Sequence, residues 1–144
     1  MPAIQPLCIM IGINPKDLSK EENLILEAEL FSRVCEEIKE EFRKHYAQYF
    51  RWLKFTTKEE NIMLEANFLR LIIQDIIATE EYTLQGVACY TDAPIDVIQE
   101  IFDGRNTNPS TCVLRKTIDL HRTLRRELYF TIIKKIAMTY LTTA

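Results

Sequence analysis

Glycine is scarce in this 144-residue chain: there are three, Gly12, Gly86 and Gly104, alongside five prolines. Sandwiches, barrels and doubly wound sheets need more turns than that supplies, so the composition predicts an all-α protein. The four cysteines, Cys8, Cys35, Cys89 and Cys112, stand far apart with no Cys-x-x-Cys pair. That spacing excludes a disulfide frame or a zinc knuckle and reads as buried small hydrophobes in a reducing, cytoplasmic setting. No run reaches the ~18 apolar residues of a membrane span, so no membrane partner is expected. Residues 2–13 are apolar but lack a basic start and are broken by Pro6, which predicts a packed arm and not a secretory leader. Dinucleotide, P-loop, zinc-protease and nucleophile-elbow motifs are all missing. Neither histidine, His45 or His121, has a glutamate three residues before it, so the Glu-x-x-His of a di-iron bundle is absent too. The chain is therefore expected to be no enzyme and to hold no cofactor or metal.

Apolar residues make up 47% and charged residues 27%, enough for a packed core without staples. The net charge of −3 is uneven. Residues 1–82 carry ten Lys/Arg against fifteen Asp/Glu, and residues 83–144 carry eight against six. The first part is too acidic for wholesale nucleic-acid coating, while the second leaves room for a local site.

Ser19-Lys20-Glu21-Glu22 has the form of a capping box. Beyond it, Leu24, Ala28, Phe31, Cys35, Ile38, Phe42, His45, Tyr49 and Trp52 fall at alternating steps of four and three. This predicts one amphipathic helix over 19–53, about 50 Å long, whose seam needs a partner helix. A homodimer through helix 19–53 would supply that partner. His45 would set register or lie at the seam edge, and the aromatics Tyr46, Tyr49, Phe50, Trp52 and Phe55 read as core, a helix contact or a partner-binding patch. A second box is read at Thr57-Lys58-Glu59-Glu60, opening a helix over 58–80 that is apolar nearly all round and thus central. Residues 19–38 and 57–76 are identical at eight of twenty positions, by an old duplication or by convergence of two capped helices.

Residues 83–121, TLQGVACYTDAPIDVIQEIFDGRNTNPSTCVLRKTIDLH, carry a more specific pattern. Thr83, Val87-Ala88, Ala93-Pro94, Ile98, Ile101, Gly104, Pro109-Ser110, Val113-Leu114 and Ile118 fall in an order that resembles the λ-repressor-like (Xre-type) helix-turn-helix family. The resemblance implies that Thr83 opens a helix, Val87-Ala88 supplies a close crossing and Ala93-Pro94 makes a turn. It implies that Ile98 and Ile101 are core positions of a second helix, that Gly104 ends it, and that Pro109-Ser110 opens a third on which Val113, Leu114 and Ile118 pack. The resemblance implies a five-helix helix-turn-helix domain over 57–144, with residues 1–56 forming an added arm and long helix. It also implies a transcriptional regulator that binds double-stranded DNA, with the helix 94–103 in the major groove. Its contacts would come from Ile95, Asp96 and Gln99 on that helix, Arg105, Asn106 and Asn108 behind it, and Arg115 beyond. The cations from Arg115 to Lys135 read equally as solvated faces of the last two helices. The sequence departs from the family in two ways. Thr91-Asp92 stands where a turn glycine is common, which Asp tolerates because it can adopt the left-handed region. The outward set Ile95, Asp96, Gln99, Glu100 and Asp103 is acidic at three of five positions, which opposes phosphate. That second departure sustains an alternative: a protein–protein interaction adaptor that keeps the fold and does not bind DNA. His121, at a helix end beside Arg122, is expected to act as a C-terminal cap. Cys35 and Cys112 are expected in the core.

Overall fold

A computed structural model describes Gly12 and residues 14–143. The expected packed arm over residues 2–13 otherwise lies outside the described residues. Regular structure among the described residues is entirely helical, as the composition predicts. After a 3-10 turn at Pro15–Asp17 come α1 (Lys20–His45), α2 (Ala47–Trp52), α3 (Thr57–Ala66) and α4 (Phe68–Ala78). They are followed by α5 (Leu84–Thr91), α6 (Ile95–Phe102), α7 (Thr111–Leu124) and α8 (Arg126–Thr143). The chain forms two compact units: residues up to 40 together with those from 127 onward, and residues 41–126.

Both long helices of the sequence reading are interrupted. The helix expected over 19–53 stops at His45, and Tyr46 (φ −100°, ψ 13°) separates it from the short α2. The helix expected over 58–80 divides at Asn67 (φ −113°, ψ 12°). Its side-chain amide donates to the Met63 carbonyl at 3.0 Å, so the chain loses helical dihedrals without leaving that group unpaired. Neither break has a Gly or Pro, which is why periodicity alone passes through both. The Ser19 box forms as expected, with Glu22 N–H on Ser19 Oγ at 3.1 Å and Ser19 N–H on Glu22 Oε1 at 3.2 Å. The second box is displaced by one residue: Thr56 is the cap and Glu59 its partner.

With so few glycines, the chain ends helices with other residues in the left-handed region. Lys54 (φ 57°), Glu80 (φ 63°) and Asp92 (φ 55°) follow α2, α4 and α5. At Lys54 the closure is a full Schellman motif. Phe55 N–H reaches Phe50 C=O, Lys54 N–H reaches Arg51 C=O, and the Phe50 and Phe55 rings stack at 5.7 Å. The same double closure recurs at Asp92 (Ala93 to Ala88, Asp92 to Cys89) and at Gly104 (Arg105 to Glu100, Gly104 to Ile101).

In the first unit, α1 buries Leu30, Val34, Cys35 and Ile38, while Tyr129, Ile132, Ile133, Ile136 and Ala137 are buried on α8. Lys135 Nζ and Glu37 Oε2, 2.8 Å apart, tie the two helices. The predicted seam is split: Cys35 and Ile38 are inside, but Leu24 and Ala28 are exposed.

The second unit is built on α4, whose Phe68, Leu69, Leu71, Ile72, Ile73 and Ile76 are buried. It packs on α7 and α6, and α5 packs on α6 and α7. A side cluster of Phe50, Leu64 and Leu71 gathers Phe42, Tyr46, Phe55 and Met63. Arg43 joins the end of α1 to α3, pairing with Glu60 at 2.8 Å and reaching Asn61 Oδ1.

Three side chains depart from expectation. Cys112 and Cys89 are exposed free thiols, since each lies on the outer face of its helix; only Cys35 of the described cysteines is buried. His121 is fully buried instead of capping a helix end. It lies 2.6 Å from Asp75 Oδ2. His45 is exposed at the end of α1, at the edge of the seam.

Candidate functional site

The segment 83–115 is held by caps at each junction. Thr83 Oγ1 accepts from Gly86 N–H at 3.1 Å, starting α5, which then buries Val87 and Ala88. Asp92 turns the chain, and Pro94 (φ −58°, ψ 143°) leads into α6 as its N-cap residue. Ile98 and Ile101 anchor α6 inward with essentially no exposed surface. Their spacing of three leaves the opposite face outward, where Ile95, Asp96 and Asp103 are exposed and Gln99 and Glu100 are half-buried. Behind α6, the N–H groups of Arg105 and Asn106 both donate to Glu100 C=O, at 2.9 and 3.1 Å. Asn106 Oδ1 accepts from Asn108 N–H at 3.0 Å, so this side chain shapes the loop. Ser110 Oγ then accepts from Val113 N–H at 3.2 Å and starts α7, on which Arg115 is exposed.

One carboxylate brings two of the predicted contacts together. Asp103 Oδ1 accepts from Gln99 Nε2 at 3.0 Å, and its Oδ2 accepts from Arg105 Nη2 at 3.1 Å. Gln99 and Arg105 thus share one edge. Asp96 and Ile95 stand one turn away at the start of α6, and Asn106 and Asn108 lie in the loop that follows Arg105. The edge presents Asp96, Glu100 and Asp103 together with the cation Arg105.

Two positioning residues were not read from the sequence. Arg70, on α4, donates from Nε to Phe102 C=O at 2.9 Å, satisfying a carbonyl at the end of α6. Its guanidinium also underlies Gly104, where an added Cβ would stand 3.2 Å from Nη1. Asp75, also on α4, binds His121 and takes Arg125 through Nε at 3.0 Å and Nη2 at 2.9 Å. The His121 hydrogen bond, more than the Arg125 pairing, lowers the Asp75 pKa from 3.8 to about 2 against the opposing effect of burial. The signal for both was present: Arg70 and Asp75 are charged residues inside an otherwise apolar helix, where a charge requires a partner.

Gly104 has φ +78°, a conformation costly for any residue with a Cβ. Gly104→Ala is expected to lower stability by about 1–2 kcal/mol. Most of this is backbone strain, since the Arg70 head group can shift. A urea midpoint falling at unchanged slope would show it, and no change in midpoint would contradict it.

An open hollow of about 500 Å³ lies beside the loop, lined by Lys58, Asn61, Ile62, Glu65, Ala66 and Thr107. No group of three metal-ligating side chains occurs among the described residues. No helix among them is long and apolar enough to cross a membrane. No family model matches the chain, and no curated protein or solved structure is similar to it.

Proposed function

We propose that α5, the Asp92 turn and α6 act as a helix-turn-helix that sets α6 into the major groove of double-stranded DNA. The observation that carries this reading is the arrangement of α6. Its inner face is anchored by Ile98 and Ile101, its first turn is open at Ile95 and Asp96, and Gln99 and Arg105 are tied side by side through Asp103. In this reading Gln99 reads a base edge, Arg105, Asn106 and Asn108 follow the backbone, and Arg115 adds a phosphate contact.

A second reading draws on a different observation. Asp96, Glu100 and Asp103 line the same edge, and Trp52 is 75% exposed at the end of α2. Those features suit a protein–protein interaction adaptor without DNA affinity, because like charge opposes phosphate and an exposed Trp is a common interface anchor.

Fluorescence anisotropy with mixed-sequence duplex DNA separates the two. The DNA reading expects binding at about 50 mM salt that weakens steeply as salt rises. Replacing Arg105 and Arg115 by alanine would weaken it about tenfold or more and flatten the salt slope by about 2. Absence of binding at low salt would remove the DNA reading and leave the adaptor.

A further inference from the structure

Two exposed patches of this chain have matching chemistry. The first is the turn that ends α2. Its Schellman closure sends Phe50 and Phe55 toward the core cluster, which leaves Tyr49, Trp52 and Leu53 outward. Arg51, Lys54 and Lys58 are exposed around them and enter none of the ion pairs among the described residues. Glu59 is engaged in the Thr56 cap. The patch is thus aromatic at its centre and cationic at its rim.

The second patch is the outer face of the first turns of α1. Residues three and four apart share a helix face, which groups Glu21, Leu24, Ile25, Ala28 and Glu29. All five are exposed, with Leu24 at 57% and Ile25 at 67%. Leu24 and Ala28 lie on the same seam as Cys35 and Ile38, which are buried further along the helix. The first turns of α1 therefore leave the end of the seam exposed, with Glu21 beside it and Glu29 in a solvent-exposed pair with Arg33 at 3.3 Å.

We propose that the aromatic turn of one copy of the chain docks on the outer face of α1 of a second copy. Trp52, Tyr49 and Leu53 would cover Leu24, Ile25 and Ala28, while Arg51 and Lys54 meet Glu21 and Glu29. The occupant is a second copy because the chain itself supplies the complementary surface, an acidic helix with an apolar stripe facing a cationic aromatic knob. Trp, Tyr and Arg are the residue types that most often dominate binding energy, and the turn presents all three in Tyr49, Arg51 and Trp52. The two surfaces differ, so each contact joins unlike patches of two copies. Such small patches predict a weak association, with a dissociation constant on the order of tens of micromolar. This contact is independent of whether the chain binds DNA.

Sedimentation equilibrium of the full chain is the test, run from about 5 to 500 µM. Trp52 is the single tryptophan, so its emission reports the same site. The expected result is an average mass rising from 16.9 kDa toward a dimer, with a blue shift of emission, both weakened by about 0.5 M salt. Trp52→Ala is expected to weaken association at least tenfold, as is the pair Leu24→Glu with Ile25→Glu. Reversing Arg51 and Lys54 to glutamate is expected to give a monomer. Adding Glu21→Lys and Glu29→Lys to that same chain is expected to restore the dimer. All of these positions are exposed, and circular dichroism would verify that each variant is folded. A monomer at the highest concentration would overturn the proposal. So would association that survives either the Trp52 or the Leu24–Ile25 substitutions, or failure of the charge exchange to restore it.

Discussion

Asp75→Ala is expected to destabilise the unit of residues 41–126 by about 3 kcal/mol and to lower its melting temperature by about 15 °C. The carboxylate is the shared acceptor of His121 and both arms of the Arg125 fork. Removing it leaves a fully buried imidazole without that partner and loosens the guanidinium from α4. The estimate sits at the lower end for a buried ion pair because Asp75 and Arg125 each keep about a third of their side-chain surface in solvent. The same group sets an acid limb. Its folded pKa of about 2 lies below the ordinary 3.8, so the unfolded chain takes up the proton first. The resulting stabilisation is fully present above about pH 4 and is lost as pH falls through about 2. It amounts to about 2 kcal/mol at neutral pH. Urea midpoints measured from pH 7 to pH 2 would show this fall in the native chain and a flatter profile in Asp75→Asn. Equal profiles for the two would mean that the cluster does not hold α4 to α7.

Ile98→Ala is expected to cost about 3 kcal/mol, within the range for truncating a buried aliphatic side chain. Ile98 is completely buried and is the inward anchor of an eight-residue helix. So short a helix has little stability of its own and is held by packing. The variant should therefore lose any binding that depends on α6 without a change to its outer surface. Ile95→Ala, at a position 37% exposed on the same helix, is expected to change stability by less than about 1 kcal/mol. Equal costs at the two positions would show that α6 is not seated through Ile98. Amide exchange read along α6 would separate local loosening from global unfolding.

Local chemistry was the most legible part of this chain. The caps at Ser19, Thr83 and Ser110 and the left-handed residues at Asp92 and Gly104 follow from residue type alone, because each satisfies a helix end through its own side chain or dihedral. The burial of Val87, Ala88, Ile98, Ile101 and Ile118 is what the resemblance to the helix-turn-helix family implied. The helix breaks at Tyr46 and Asn67 did not follow, since no residue there forbids a helix. At Tyr46 the break precedes the short α2 that places Phe50 beside Leu64 and Leu71. The candidate site divides in the same way. Ile95, Asp96 and Gln99 were placed on the outer face of their helix by its period, whereas the bridge from Gln99 through Asp103 to Arg105 depends on rotamers and on the Gly104 turn. His121 was misjudged because its partner, Asp75, lies 46 residues away in sequence.

The helical class, the cap chemistry and the inner and outer faces of α5, α6 and α7 were therefore determined by the sequence itself, because they arise from interactions spanning at most a few residues. Tertiary structure alone decided that the seam of α1 is buried at Cys35 and Ile38 and exposed at Leu24 and Ala28. It also decided that a carboxylate and a guanidinium on α4 hold down α7 and the end of α6, and that Trp52 points outward while Phe50 points in. Each of these depends on which distant residue fills the space alongside, and periodicity along one chain segment contains no record of that neighbour.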